Sequence, residues 1–160
     1  MIIGHLEGAA VYWNKDHECI TRGRPEEVQL QKLRQTLKKA AGSPFYKAKG
    51  IADFTIKDLS DIRKLPVTTK QDLRDAYPYG MVCTPIDDVV RLHSSSGTTG
   101  TPTVVYHGTN DIDNWTELVT RCLYMMGLRK NDVFQNMIGY GLFTGGLGLH
   151  YGAERLGCLT

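Results

Sequence analysis

The feature that most constrains the fold and function of this chain is a run of small hydroxyl and glycine residues between two strand-like segments. Residues 94–100 are all Ser, Thr or Gly, and they lie between the strand-like segments 89–92 and 103–106. Glycine lets backbone N–H groups approach a ligand without a Cβ in the way, and the hydroxyl side chains add further donors. A strand–loop–strand unit of this composition can surround a polyphosphate with neutral donors. It is not a Walker-type loop, because that loop requires Gly-Lys-Ser/Thr at the start of a helix.

The alternative interpretation of this run is a flexible surface loop or linker, for which Gly and Ser are the usual residues. Two features weigh against a linker. The run lies between β-rich segments rather than between domains, and it leaves through Thr101, Pro102 and Thr103, where the proline stiffens the chain. The residues alone leave both interpretations open.

The run resembles the phosphate loop of the adenylate-forming enzymes, since residues 95–102 read SSGTTGTP. Most of those enzymes carry Lys after the Pro, whereas this chain has Thr103, which is similar to the phenylacetate–CoA ligase branch. Residues 66–80 and 140–154 resemble the upstream and downstream signatures of the same branch, in the same order. The resemblance extends from about residue 12 to residue 160, and three ordered motifs make it more specific than the loop alone.

This resemblance implies an α/β fold, the N-terminal part of the large domain of an adenylate-forming enzyme, with helices packed on a parallel or mixed sheet. It implies that phenylacetate or a related aryl acid is activated with ATP to an acyl-adenylate and then joined to CoA, with Mg²⁺ supplying positive charge. The full-length protein would be a homodimer. The residues expected to bind the nucleotide phosphates are Ser95, Ser96, Gly97, Thr98, Thr99 and Gly100.

By the same resemblance, the acyl pocket would be lined by Tyr140, Phe143 and Gly145. Glycines around these two rings let backbone approach a ligand, and aromatic rings can stack on an aryl acid. The alternative is that both rings are core packing beside tight turns. His93 could contact a phosphate or satisfy a backbone carbonyl, and His150 is expected to be structural. No arrangement of Ser, His and Asp indicates a catalytic triad, so we assign neither a catalytic residue nor a metal ligand.

Composition excludes several other classes of protein. With 160 residues, 41% hydrophobic and 22% charged, the chain is typical of one globular domain. A net charge of +2 does not support a nucleic-acid or membrane-surface partner. No apolar run approaches the ~20 residues of a transmembrane helix, and the first residues lack the features of a signal peptide. We therefore expect a cytoplasmic protein whose partners are small molecules.

The four cysteines are widely spaced and have no metal-ligand spacing, so we expect reduced, largely buried thiols: Cys19, Cys83, Cys122 and Cys158. Along the chain, residues 1–24 are expected to form an arm that Tyr12 and Trp13 attach to the rest. Residues 25–160 would form a partial α/β domain with the phosphate loop at 94–103. Its predicted helices begin at Pro25, near residue 56, at a capping box formed by Thr68 and Gln71, at Asp111 or Asp113, and at Leu147.

The apolar face of the long helix after residue 111 is predicted from helical spacing to comprise Trp115, Leu118, Val119, Cys122, Leu123 and Met126. A strand is predicted over residues 132–138, and another begins at residue 158. Since the resembled enzymes continue well beyond such a strand, we expect an N-terminal fragment that lacks the rest of the enzyme and is inactive alone. The alternatives are an interaction module, or a nucleotide-binding module, that keeps the fold without the chemistry.

Overall fold

The computed structural model describes residues 10–21, 23–95, 102–141 and 144–160. Within these ranges the helices are α1 Lys15–Glu18, α2 Arg24–Ala40, α3 Pro44–Ala48, α4 Lys70–Asp75, α5 Thr109–Met125 and α6 Thr144–Leu156. The strands are β1 Val89–Ser94 and β2 Val104–Gly108. Short 3₁₀ turns cover Ile51–Asp53, Leu59–Lys64 and Ile86–Asp88. No helix of these ranges is long and apolar enough to cross a membrane.

The described residues form two compact units, one of residues 10–20 and 112–160 and one of residues 21–111. In the first unit the predicted attachment of the N-terminal segment is present. The Trp13 indole Nε1 donates a hydrogen bond to Glu117 Oε2 at 3.1 Å. The Tyr124 hydroxyl donates to the backbone oxygen of Ala10. The division into an arm and one domain stays a prediction.

Helix α2 in the second unit has the signals that its sequence predicts. Pro25 lies in its first turn with two acidic residues, and Lys38 and Lys39 lie in its last turn. These charges complement the helix dipole. The Arg34 side chain donates to the backbone oxygens of Ile56 and Lys57 at 2.9 and 3.1 Å, so α2 is fixed to the segment that precedes the second 3₁₀ turn.

The capping box of α4 is one residue later than predicted. Thr69, not Thr68, accepts a hydrogen bond from the backbone N–H of Asp72 at 3.2 Å, and the Asp72 carboxylate accepts one from the Thr69 N–H at 2.7 Å. The Thr68 hydroxyl instead lies 2.8 Å from the Tyr46 hydroxyl. Both registers fit the spacing of a capping box. The carboxylate of Asp72 is the stronger acceptor, because a charged acceptor makes the shorter and stronger hydrogen bond.

The α/β class is confirmed, and the strand pairings run in both directions. Strands β1 and β2 pair antiparallel, with Ser94 opposite Val104. A single parallel bridge joins Val133 to Leu159. The strand predicted over residues 132–138 is reduced to this bridge, because among the described residues its only ladder bonds are the two that it makes with Leu159.

Helices α5 and α6 pack against each other through glycines in the first unit. A Cβ on Gly152 would lie 2.6 Å from Val119 Cγ1, and one on Gly148 would collide with the Trp115 ring. The fully buried Thr120 hydroxyl shares its hydrogen between the Thr116 oxygen of its own helix at 2.8 Å and the Gly152 oxygen of α6 at 3.1 Å. Helix α6 begins at Thr144, before the predicted start at Leu147.

The predicted apolar face of α5 is wrong at three positions. Leu118 is 57% exposed, Met126 is 66% exposed and Cys122 is exposed as well, whereas the buried side chains of α5 are Thr116, Thr120 and Leu123. The reason is that α6 packs against α5 through glycines, and the side of α5 that carries the threonines lies against these glycines. The expectation of buried thiols is also wrong, since three cysteines are exposed and the fourth is half-buried, although all four are free.

Candidate functional site

Paired hydrogen bonds close the base of the hydroxyl- and glycine-rich loop. The backbone N–H of Ser95 donates to the Thr103 oxygen at 2.9 Å, and the N–H of Thr103 donates to Ser95 Oγ at 2.9 Å. The Ser94 hydroxyl donates to the Ser95 oxygen at 3.2 Å. Ser95 thus holds both ends of the loop together, and its hydroxyl keeps its own hydrogen as a donor.

The other predicted phosphate contacts, residues 96–100, lie outside the described residues. Their assignment to the phosphates stays a prediction. The antiparallel pairing of β1 with β2 and the Ser95–Thr103 bonds fix where this segment leaves and re-enters the fold. A loop with its two ends held on adjacent strands loses less entropy when it closes around a ligand than a free segment would.

A buried histidine lies on β1 just before the loop. His93 is 6% exposed, and its ring centroid lies 4.6 Å from that of His107 on β2. Burial, followed by the charges of His107 and Arg91, holds the pKa of His93 below its usual value of 6.5. His93 is therefore neutral at pH 7, so it contributes no positive charge at the base of the loop.

The predicted acyl-site residues belong to the other unit, where Tyr140 is held by two polar neighbours. The Asn136 Nδ2 donates to the Tyr140 hydroxyl at 3.1 Å, and this hydroxyl lies 3.1 Å from His150 Nδ1. The rings of Tyr140 and His150 meet edge to face, with 5.6 Å between centroids. Tyr140 is 48% exposed, so its ring can contact a ligand. His150, predicted to be structural, contacts a candidate site residue directly.

The glycines around Tyr140 divide into two groups. Gly145 is exposed, and an added Cβ would meet no atom of the described residues within 4 Å, so its backbone is open as far as these residues show. In contrast, Gly148 and Gly152 pack α6 on α5 and are not available to a ligand. Phe143 lies outside the described residues, and its role stays a prediction.

Sequence reasoning missed Asn136. The signal was an amide side chain inside the apolar segment 133–138, four residues before Tyr140. Its Nδ2 also donates to the Gly146 oxygen at 2.8 Å, and its Oδ1 accepts from the Ile138 N–H at 3.2 Å. Asn136 thereby joins the segment that carries Tyr140 to the first turn of α6.

A separate cavity of about 360 Å³ lies within the unit of residues 21–111. Three tyrosines, Tyr46, Tyr77 and Tyr106, line it together with Lys39 and Asp111. None of the predicted site residues is among its lining. Across the described ranges, no group of three or more His, Cys, Asp or Glu side chains could hold a metal ion.

Comparison with solved structures defines the class of protein. An open form of 2-hydroxyisobutyryl-CoA ligase in complex with 2-HIB-AMP and CoA superposes with a TM-score of 0.83 and 29% identity, over 95% of this chain and 37% of that chain. The same ligase in its postadenylation state with 2-HIB-AMP gives a TM-score of 0.83 over 95% of this chain and 34% of the ligase. The described fold is that of the adenylate-forming CoA ligases.

Curated relatives define the family more closely. The chain is 52% identical over 137 residues to a phenylacetate-coenzyme A ligase of Escherichia coli, covering 82% of this chain and 31% of the relative. It is 52% identical over 135 residues to that of Pseudomonas putida, covering 81% and 31%. The corresponding ligase of Aromatoleum evansii is 46% identical over 151 residues, covering 89% and 34%. No family model matches the chain.

By these identities the chain belongs to the phenylacetate-coenzyme A ligase family. It spans about a third of the length of the curated relatives it matches.

Proposed function

We propose that this chain is the N-terminal part of an AMP-forming ligase that joins phenylacetate, or a related aryl acid, to CoA. One observation carries the proposal. A loop of small hydroxyl and glycine residues, closed at its base by Ser95 and Thr103, occurs in a chain up to 52% identical to phenylacetate-coenzyme A ligases. The structural neighbours, one of them bound to an acyl-AMP and CoA, support the same chemistry.

In the proposed reaction, a carboxylate oxygen of the acid attacks the α-phosphorus of ATP and pyrophosphate leaves. The CoA thiolate then attacks the carbonyl carbon of the acyl-adenylate, and AMP leaves as the thioester forms. The first step needs donors that hold the β- and γ-phosphates while charge develops on the leaving group. We assign this role to the loop backbone and to the hydroxyls of Ser95, Ser96, Thr98 and Thr99.

The loop contributes neutral donors rather than a cation. Thr103 stands where most adenylate-forming enzymes carry Lys, and its N–H is used by Ser95. His93 behind the loop is neutral because its pKa is lowered by burial and by the neighbouring His107 and Arg91. Mg²⁺ bound to ATP as part of the substrate would supply positive charge there, because phosphate oxygens are the hard oxygen ligands that Mg²⁺ prefers.

We assign the aryl ring of the acid to the segment around Tyr140, Phe143 and Gly145. The half-exposed ring of Tyr140 supports this assignment, since aromatic pairs gain stabilisation beyond their buried area. The open space beside Gly145 supports it as well, because a ligand can reach the backbone there.

A pyrophosphate-release assay tests the proposed function on the complete protein encoded by the gene. Phenylacetate, substituted phenylacetates, benzoate and fatty acids of increasing length are compared with and without CoA. We expect release with aryl acids, and its loss in Gly97→Trp, which would fill the loop. The control Met137→Ala changes an 86% exposed side chain and should leave release unchanged. Activity on long-chain fatty acids alone would contradict the aryl assignment.

Two further properties belong to the proposal. We propose that the complete protein is a cytoplasmic homodimer, and sedimentation equilibrium tests the dimer at several concentrations. We also propose that residues 1–160 alone form no thioester, because catalysis requires nucleophile and leaving group to be fixed together. Mass spectrometry of the products formed by the purified chain tests this, and turnover that Gly97→Trp abolishes would contradict it.

A further inference from the structure

The polar atoms of Asn136 are all engaged by the protein, and this fixes the orientation of its amide. One Nδ2 hydrogen goes to the Gly146 oxygen at 2.8 Å and the other to the Tyr140 hydroxyl at 3.1 Å, while Oδ1 accepts from the Ile138 N–H at 3.2 Å. Reversing the amide would place its oxygen against a carbonyl and its NH₂ against an N–H. The Tyr140 oxygen therefore accepts a hydrogen bond from Asn136.

The Tyr140 hydroxyl has one hydrogen to donate. Its partner at 3.1 Å is His150 Nδ1. We assign to His150 the tautomer that carries its proton on Nε2, in which Nδ1 accepts the hydrogen of the Tyr140 hydroxyl, and the inference is built on this tautomer. The phenol is engaged both as donor and as acceptor, while the ring remains half exposed.

We propose that Asn136 and His150 are positioning residues for Tyr140, so that the site presents the ring of Tyr140, and not its hydroxyl, to the acid. This inference rests on the proposed function. The inference narrows the substrate class to acids that place an apolar ring next to Tyr140. A polar substituent there would be buried without a hydrogen-bond partner, because the Tyr140 hydroxyl is already bonded to Asn136 and His150. Leaving such a group without a partner is more costly than losing an apolar contact.

The test measures KM for phenylacetate, for 4-hydroxyphenylacetate and for ATP in the complete ligase. His150→Phe keeps the edge-to-face contact but removes the acceptor, and Tyr140→Phe removes the hydroxyl. His150→Phe should raise the KM for phenylacetate about three- to tenfold, the worth of one hydrogen bond, and Tyr140→Phe should raise it at least as much, because it removes the bonds with both His150 and Asn136. Both variants should leave the KM for ATP unchanged. The double variant should match Tyr140→Phe, because that change already removes the bond to His150.

Conservative variants separate positioning from mere packing. His150→Asn places an oxygen where Nδ1 was and should restore the KM for phenylacetate, while His150→Gln places its acceptor near the Nε2 position and should not. His150→Phe also frees the Tyr140 hydroxyl, so it should narrow the preference for phenylacetate over 4-hydroxyphenylacetate. Tyr140→Phe lacks the freed hydroxyl and should not narrow it.

Additive effects of His150→Phe and Tyr140→Phe on KM would overturn the inference, as would rescue by Gln in place of Asn. Failure of the acyl-site assignment looks different. In that case Tyr140→Ala leaves the KM for phenylacetate unchanged, while thermal unfolding of the same variants still shows that the two residues are coupled. That result would overturn the role of Tyr140 in selecting the acid.

Discussion

Replacing Gly152 by Ala tests whether the glycines of α6 serve packing or ligand contact. The added Cβ would lie 2.6 Å from Val119 Cγ1, 3.1 Å from Val119 Cβ and 3.2 Å from the Thr120 nitrogen. Rotation of Val119 can relieve the first contact but not the other two. Helices α5 and α6 must therefore separate by a few tenths of an ångström, which also stretches the bond from Thr120 to the Gly152 oxygen.

The expected change in the free energy of unfolding has two destabilising contributions and one stabilising contribution. Overpacking costs about 1–3 kcal/mol, and the weakened hydrogen bond adds about 1 kcal/mol or less. Replacing a helical glycine by alanine returns about 1 kcal/mol. These contributions sum to a loss of up to about 3 kcal/mol in the free energy of unfolding of Gly152→Ala, measured by urea denaturation.

Gly145→Ala is the matched control, since it lies in the same helix and an added Cβ meets nothing within 4 Å. It should leave stability unchanged or raise it slightly, and in the complete ligase it should change the KM for the acid. In Gly152→Ala, the further change Val119→Ala removes the closest contact and should recover part of the loss. If Gly152→Ala is as stable as Gly145→Ala, the packing described for α5 and α6 is wrong.

Three other predictions follow from local contacts. Thr69→Ala should lower stability by about 1 kcal/mol through loss of the α4 cap, and Thr68→Ala by less, which urea denaturation of both variants would check. The bonds from Lys64, and from the backbone N–H groups of Lys57 and Asp58, lower the pKa of Asp61 from 3.8 to about 2, so its stabilising contribution should be full above about pH 4 and lost towards pH 2. The difference in stability between Asp61→Asn and the parent should thus be largest above about pH 4 and should disappear towards pH 2, as acid unfolding would measure. Burial lowers the pKa of His93, so stability should decline as pH falls below 6.5, and an NMR titration midpoint at or above 6.5 for His93 would contradict this.

Local signals in the sequence were sufficient for α2 of the second unit, but α3 was not predicted, and the helix predicted near residue 56 is the 3₁₀ turn Leu59–Lys64. Pro25 and the charges at both ends predicted α2, because these signals act within a few residues of each other. The capping box of α4 was found, but its register was ambiguous. Thr68 and Thr69 both fit, and the Asp72 carboxylate, which is a stronger acceptor than an amide, favours Thr69. The contact of Thr68 with Tyr46 is tertiary, and no local pattern contains it.

Which face of a helix is buried depends on the element that packs against it, and the sequence alone does not identify that element. Periodicity placed Leu118 and Met126 in the core, but α6 presents glycines to the threonine side of α5, so Thr120 is buried instead. The candidate site also combines a residue that a local motif predicts with one that it does not. Tyr140 was predicted from its motif, and its role stays a prediction. Asn136 was missed because it contacts the residues around it at positions ten and four residues away in sequence.

Trapping the acyl-adenylate tests the central claim most directly. The complete protein is incubated with phenylacetate and MgATP without CoA, and the products are identified by mass spectrometry. We predict phenylacetyl-AMP and one equivalent of pyrophosphate, followed by phenylacetyl-CoA and AMP when CoA is added. Formation of ADP and phosphate, or no product from any aryl acid while the protein is folded, would contradict the assignment of this chain to an adenylate-forming aryl-acid ligase.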